Sequence, residues 1–106
     1  MTYFVEISDR AHRDIDECAG WMKEYGEDFM LSQLARITNV FRSNLSQSPK
    51  MWSYFFLTGP PNRGYLFHVG RRTAYWIVYK VDEDARRVDV LRFWHASRDP
   101  KSFAVR

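Results

Sequence analysis

Between Ala11 and Leu45 the apolar residues fall into two runs with helical spacing, and beyond Pro49 that spacing does not return. Ala11, Ile15, Cys18, Met22 and Tyr25 form the first run, and Met30, Leu34, Ile37, Phe41 and Leu45 the second. Steps of three and four residues line up along one side of an α-helix, so each run predicts an amphipathic helix with a core-facing stripe. Ser8 or Asp9 stands where a side-chain oxygen can take up an orphan amide at the first helix start. Gly26 suits the end of that helix, and Glu27 and Asp28 suit the positive end of the next. Ser46-Gln-Ser-Pro49 stops the second, because proline cannot continue a helix. The spacing predicts an αα-hairpin with a tight glycine turn.

The rest of the chain has strand periodicity. Thr2 to Ile7 reads as a short first strand, with Tyr3, Val5 and Ile7 alternating against Phe4 and Glu6. Met51 to Thr58 is aromatic-rich and predicted to be extended, ending in the loop Gly59-Pro60-Pro61-Asn62. Tyr65 to Val69, Thr73 to Val81 and Arg87 to His95 follow as strands, separated by turns at Gly70-Arg71-Arg72 and Asp82-Glu83-Asp84-Ala85. Short polar turns make those three an antiparallel meander. The expectation is one α+β domain spanning residues 1–106, with an N-terminal strand, an αα-hairpin and a meander, the helices packed on one sheet face.

Composition narrows the function classes. At 106 residues with 45% apolar side chains, the chain can build one core without metal or disulfide. The single cysteine, Cys18, excludes an internal disulfide and fits a reducing compartment. No signal-peptide pattern and no apolar run of about 20 residues occurs, so the reading is a cytoplasmic protein with no membrane partner. Charge is uneven: residues 1–53 carry six Lys/Arg against eight Asp/Glu, and residues 54–106 carry ten against five. The basic half is rich in arginine, whose planar fork suits phosphate and carboxylate groups.

Few residues look chemical. His12, His68 and His95 lie on different elements and Cys18 sits in a helical stripe, so no metal site and no cofactor is expected. Phosphate loops, dinucleotide fingerprints and G-x-S-x-G elbows are absent. The remaining feature is Val88-Asp-Val-Leu-Arg-Phe-Trp-His-Ala-Ser-Arg-Asp-Pro100. Metal-free RNA cleavage needs a proton acceptor, a proton donor and cations that steady the phosphorane. His95 is a candidate for the proton transfers, and Arg92, Arg98 and Arg63 for the charge. Strand alternation, however, places Arg92 and Trp94 on one face and Leu91, Phe93 and His95 on the other.

Three segments together carry a resemblance. Val5-Glu-Ile-Ser-Asp-Arg-Ala11 resembles the strand-to-helix entry of the RelE/ParE toxin superfamily of bacterial type II toxin–antitoxin modules. Tyr75-Trp-Ile-Val-Tyr-Lys-Val-Asp-Glu-Asp84 resembles its "Y-x-V-x-Y-x-V-D-E-D" strand and turn, and Val88 to Pro100 its "V-x-V-L-R-x-x-H-x-x-R-D-P" close. The resemblance implies a toxin neutralised by a cognate antitoxin. ParE-like members, known for plasmid stabilisation, inhibit DNA gyrase, whereas RelE-like members are ribosome-dependent mRNA endonucleases. No tyrosine follows Tyr79, where several ribosome-dependent members carry a catalytic one, and the hairpin is long. The ParE-like reading is therefore preferred, with an mRNA interferase as the alternative and a non-toxic binding module as the third. Arg71, Arg72, Trp76, Arg92, Trp94, His95 and Arg98 are the candidates for gripping target or antitoxin.

Overall fold

The computed structural model describes residues 2–104. Its elements run β1 (Phe4–Ile7), α1 (Asp9–Lys23), α2 (Glu27–Asn39), β2 (Asn62–Val69), β3 (Thr73–Asp82) and β4 (Arg87–His95). Ser8 is the cap of α1: its Oγ accepts from the Ala11 amide at 3.1 Å and donates to the Leu91 carbonyl at 3.1 Å. The same hydroxyl thus starts the helix and ties it to the last strand.

The sheet order is β1-β4-β3-β2, with the three later strands antiparallel as the meander requires. β1 runs parallel to β4, pairing Val5 with Val88 and Ile7 with Val90, so the sheet is mixed. Both helices lie on the face that carries Tyr75, Ile77 and Tyr79 of β3 with Val88, Val90 and Phe93 of β4. Val90 and Phe93 share that face although they are three positions apart. Val78 pairs with Arg92 and Tyr79 with Val90, so Leu91 is an unpaired bulge that resets the alternation. Against these strands pack Ala11, Cys18 and Met22 of α1 and Ile37 of α2, all buried. Each of the larger apolar side chains contributes about 1.5–3 kcal/mol through removal from water.

Three expectations change. Tyr25, the last member of the first stripe, is 65% exposed, because the stripe runs past the sheet there. The second helix is regular only to Asn39; Val40–Leu45 is wound as a π-helix, which still buries Val40, Phe41 and Leu45. Met51 to Thr58 is not extended throughout. Pro49–Met51 is a turn of 3₁₀-helix, and in the 51–58 segment only Tyr54 bridges to β2, opposite Arg63. That segment instead drops Phe55 onto the sheet face away from the helices, where Phe55 is buried beside Trp76 at 5.5 Å between ring centroids.

Candidate functional site

The basic end of the chain is organised by the point at which β1 stops. β1 pairs with β4 only as far as Val90, leaving the outer edge of β4 without a strand partner from Leu91 onward. Asp14, on the second turn of α1, fills that edge. Its Oδ2 accepts the Phe93 amide at 3.0 Å, substituting for the missing strand, and also the Arg92 Nε at 2.7 Å. Oδ1 takes Arg92 Nη2 at 3.2 Å, completing a two-pronged ion pair. Arg92 Nη1 donates to the Ala104 carbonyl, which ties the segment after Phe103 to the sheet. Arg92 is 1% exposed. The expectation that Arg92 offers charge to a phosphate or partner is thereby corrected: its guanidinium is consumed by its own fold.

Asp14 is a residue that sequence reasoning missed, although a signal exists. It lies three residues after Ala11 and four before Cys18, on the buried stripe, where a carboxylate demands a partner.

His95 lies on the opposite face from Arg92, as alternation requires. It pairs across the sheet with Tyr75, their rings edge-on at 4.9 Å. His95 Nδ1 accepts the Ser97 amide at 3.0 Å, so in the neutral ring the proton sits on Nε2. Such a ring presents a donor outward, not the free lone pair that a general base needs. Tyr75 is the tyrosine beside it, another neighbour that the sequence pattern does not reveal. It is buried, stacks on Phe93 at 4.6 Å and shares a cleft with the Cys18 thiol. Burial pushes the Tyr75 phenol well above its ordinary range, and the Cys18 contact adds to this. Burial also raises the Cys18 thiol, which argues against a thiolate nucleophile.

Arg98 is exposed just after β4, its guanidinium 4.8 Å from the Trp94 ring, and borders a cleft of about 190 Å³ with Glu17, Tyr75 and Phe93. Trp94 itself is buried between Arg92 and Phe103, and Trp76 is half-buried under Phe55 and Phe56. The expectation that Trp94 is a binding anchor is corrected accordingly, since its ring is covered by Phe103. Arg63 is likewise tied to the fold: its Nη1 donates to the Trp52 carbonyl at 2.7 Å and its guanidinium lies over Tyr54 at 4.3 Å. Of the predicted cations, then, Arg98, Arg71 and Arg72 reach solvent, and the last two occupy the β2–β3 turn, at the same end of the sheet as the close of β4, where the Ala96 amide donates to the Ala74 carbonyl. Arg92, Arg63 and His95 do not converge on one point.

Besides a hollow of about 480 Å³ between α2 and β2, bordered by Arg36, Asn39, Phe67 and His68, two other surfaces draw on both helices of the hairpin. A groove of about 610 Å³ separates β1 from the hairpin, lined by Phe4, Val5, Ile7, Ile15, Leu34 and Phe41 among others. A second cleft, of about 310 Å³, lies between the α1–α2 turn and Arg71 and Arg72. Among the described residues, no group of three or more His, Cys, Asp or Glu is placed to hold a metal, and no helix is long and apolar enough to cross a membrane.

A mixed four-stranded sheet with a helical hairpin on one face and a basic last strand defines a small toxin fold. The chain belongs to the family described as "ParE toxin of type II toxin-antitoxin system, parDE", whose model matches residues 5–100. Among solved structures it is similar to the toxin–antitoxin complex RelBE2 of Mycobacterium tuberculosis, at 18% identity and a TM-score of 0.60, covering 92% of this chain and 94% of that one. It is also similar to a double arginine-to-alanine mutant of the E. coli toxin RelE in the free state, at 19% identity and a TM-score of 0.50, covering 99% and 96%. No curated protein sequence matches it.

Proposed function

We propose that this toxin arrests growth by binding a protein, with DNA gyrase as the target, and that a cognate antitoxin neutralises it. The observation that carries this reading is the Arg92–Asp14 pair. The central arginine of the basic strand is buried and bonded on three sides, so it stabilises no transition-state charge. Without it, His95 faces one side of the sheet with its outward nitrogen protonated, and Arg63 is held by the 49–61 loop. Electrostatic stabilisation requires donors aimed at one developing charge. That convergence is lacking here.

The alternative, RNA cleavage on the ribosome, draws on one observation: His95 and Arg98 both border Tyr75 at the end of β4. One experiment separates the two. Purified protein is added to gyrase and its supercoiling of relaxed plasmid is followed, while messages from induced cells are mapped by primer extension. Loss of supercoiling with intact messages supports the gyrase reading. Cuts in the messages with normal supercoiling replace it with the ribonuclease.

A further inference from the structure

The cleft between the tips of the helical and β2–β3 hairpins has an unusual composition. Trp21, Tyr25 and Phe29 form an aromatic ladder across the α1–α2 turn, with centroids 5.1 Å apart for the first pair and 6.1 Å for the second. Opposite stand Arg71 and Arg72, both exposed, in a turn that Gly70 enters at a φ of +67°. Tyr25 occupies a core register position and yet is 65% exposed, so the stripe continues into a surface that nothing in the described chain covers. Trp, Tyr and Arg are the residue types over-represented at the energetic centres of interfaces.

We propose that this cleft is the docking surface for the protein that the toxin arrests, and that it takes a segment carrying an aliphatic or aromatic side chain next to a carboxylate. The inference rests on the toxin reading above. The apolar side chain enters against Trp21, Tyr25 and Phe29 while the carboxylate meets the two guanidiniums, a planar pairing that arginine favours. A nucleic-acid strand fits less well. Its affinity depends on a net count of cations neutralising phosphates. Lys23, Arg71 and Arg72 are matched around this turn by Glu24, Glu27 and Asp28, all exposed. The antitoxin has a better surface elsewhere, because the groove beside β1 is about twice as large and borders the N-terminal half of α1. The two surfaces share no lining residue, and their nearest members on α1, Asp16 and Trp21, are about 7.5 Å apart along the axis at about 1.5 Å per residue.

The test expresses the wild type, Tyr25→Ala and the double variant Arg71→Glu/Arg72→Glu in a bacterial host, and captures each purified protein on the cognate antitoxin. Circular dichroism and thermal midpoints check that the variants fold. The expected result is that both variants require at least about tenfold more protein to arrest growth, while antitoxin capture is unchanged. Variants that arrest growth as the wild type does would overturn the assignment, and so would variants that lose antitoxin capture while still arresting growth. Message cuts made by the wild type and lost in the variants would turn the cleft into a nucleic-acid site and overturn it as well. A wild type that neither arrests growth nor binds antitoxin would instead bring down the toxin reading itself.

Discussion

Arg92 and Asp14, 78 positions apart in sequence, meet through two hydrogen bonds of 2.7 and 3.2 Å in the interior. The pair holds three parts of the molecule at once: the first helix, the unpaired edge of β4 and the segment at Ala104. Breaking one side of a buried pair leaves an uncompensated charge, which costs about 3–5 kcal/mol. Arg92→Ala and Asp14→Ala should each lower the urea midpoint by that equivalent, and Arg92→Ala should abolish growth arrest through unfolding. The joint variant Arg92→Met/Asp14→Leu should recover part of the lost stability, because neither charge then remains buried. A fully stable Arg92→Ala protein that had lost only its toxicity would instead place Arg92 in a functional site.

Gly64 sits where the 49–61 loop closes over β2. A Cβ built there would lie 2.9 Å from Phe55 Cδ1 and 3.0 Å from Trp76 Cε3. The Phe55 ring is buried between Trp76 and Phe103 and has little room to retreat. Gly64→Ala should therefore destabilise by about 1–3 kcal/mol, the usual cost of overpacking. Thermal denaturation measures the loss, and a shift in tryptophan emission would report displacement of the ring from Trp76. An unchanged midpoint would mean that the loop lifts freely.

The strand boundaries of the second half are legible in the sequence because their punctuation is chemical. Gly70-Arg71-Arg72 and Asp82 to Ala85 are turns, and β4 runs over Arg87–His95 as alternation and Pro100 suggest. The helical stripes are legible for the same reason. What is not legible depends on partners distant in sequence. The end of β1 at Ile7 is legible too, but nothing local says that Leu91 bulges, that β1 pairs with β4 only as far as Val90, or that Asp14 then supplies the missing edge acceptor. The 51–58 segment has strand composition, but its aromatics serve to cover Trp76 from a loop, a role that residue type does not distinguish from pairing. Arg92 escapes sequence reading on the same ground: an arginine on a strand reads as a surface charge until its carboxylate is found.

Tyr79 couples the sheet to the loop, its hydroxyl donating to the Pro49 carbonyl at 2.6 Å in a fully buried setting. Burial pushes the Tyr79 phenol above its ordinary value of 10.0, as it does for Tyr75. In the unfolded chain both phenols ionise near that ordinary value, whereas the folded chain holds the protons longer. Their contribution to stability is thus complete below pH 10 and is lost progressively as pH rises beyond it. Tyr79→Phe should cost about 1–2 kcal/mol at neutral pH, from the unpaired carbonyl. It should also flatten the alkaline fall in the thermal midpoint, and an equally steep fall would assign that limb to other groups.

His95 offers the clearest distinction between a gripping and a cutting toxin. Its Nδ1 accepts the Ser97 amide, so the ring serves to close the turn after β4. His95→Asn keeps a side-chain acceptor near the Ser97 amide and removes any acid–base chemistry. If the protein acts by binding, growth arrest by this variant should stay within about threefold of wild type, and stability should fall by no more than about 1 kcal/mol. If His95 transfers protons, general acid–base catalysis contributes roughly 10²–10⁴-fold, and the variant should lose toxicity by that factor while remaining folded. Growth curves across an inducer series, read alongside thermal midpoints, decide between the two. A folded His95→Asn protein whose toxicity had dropped by that catalytic factor would refute the binding mechanism.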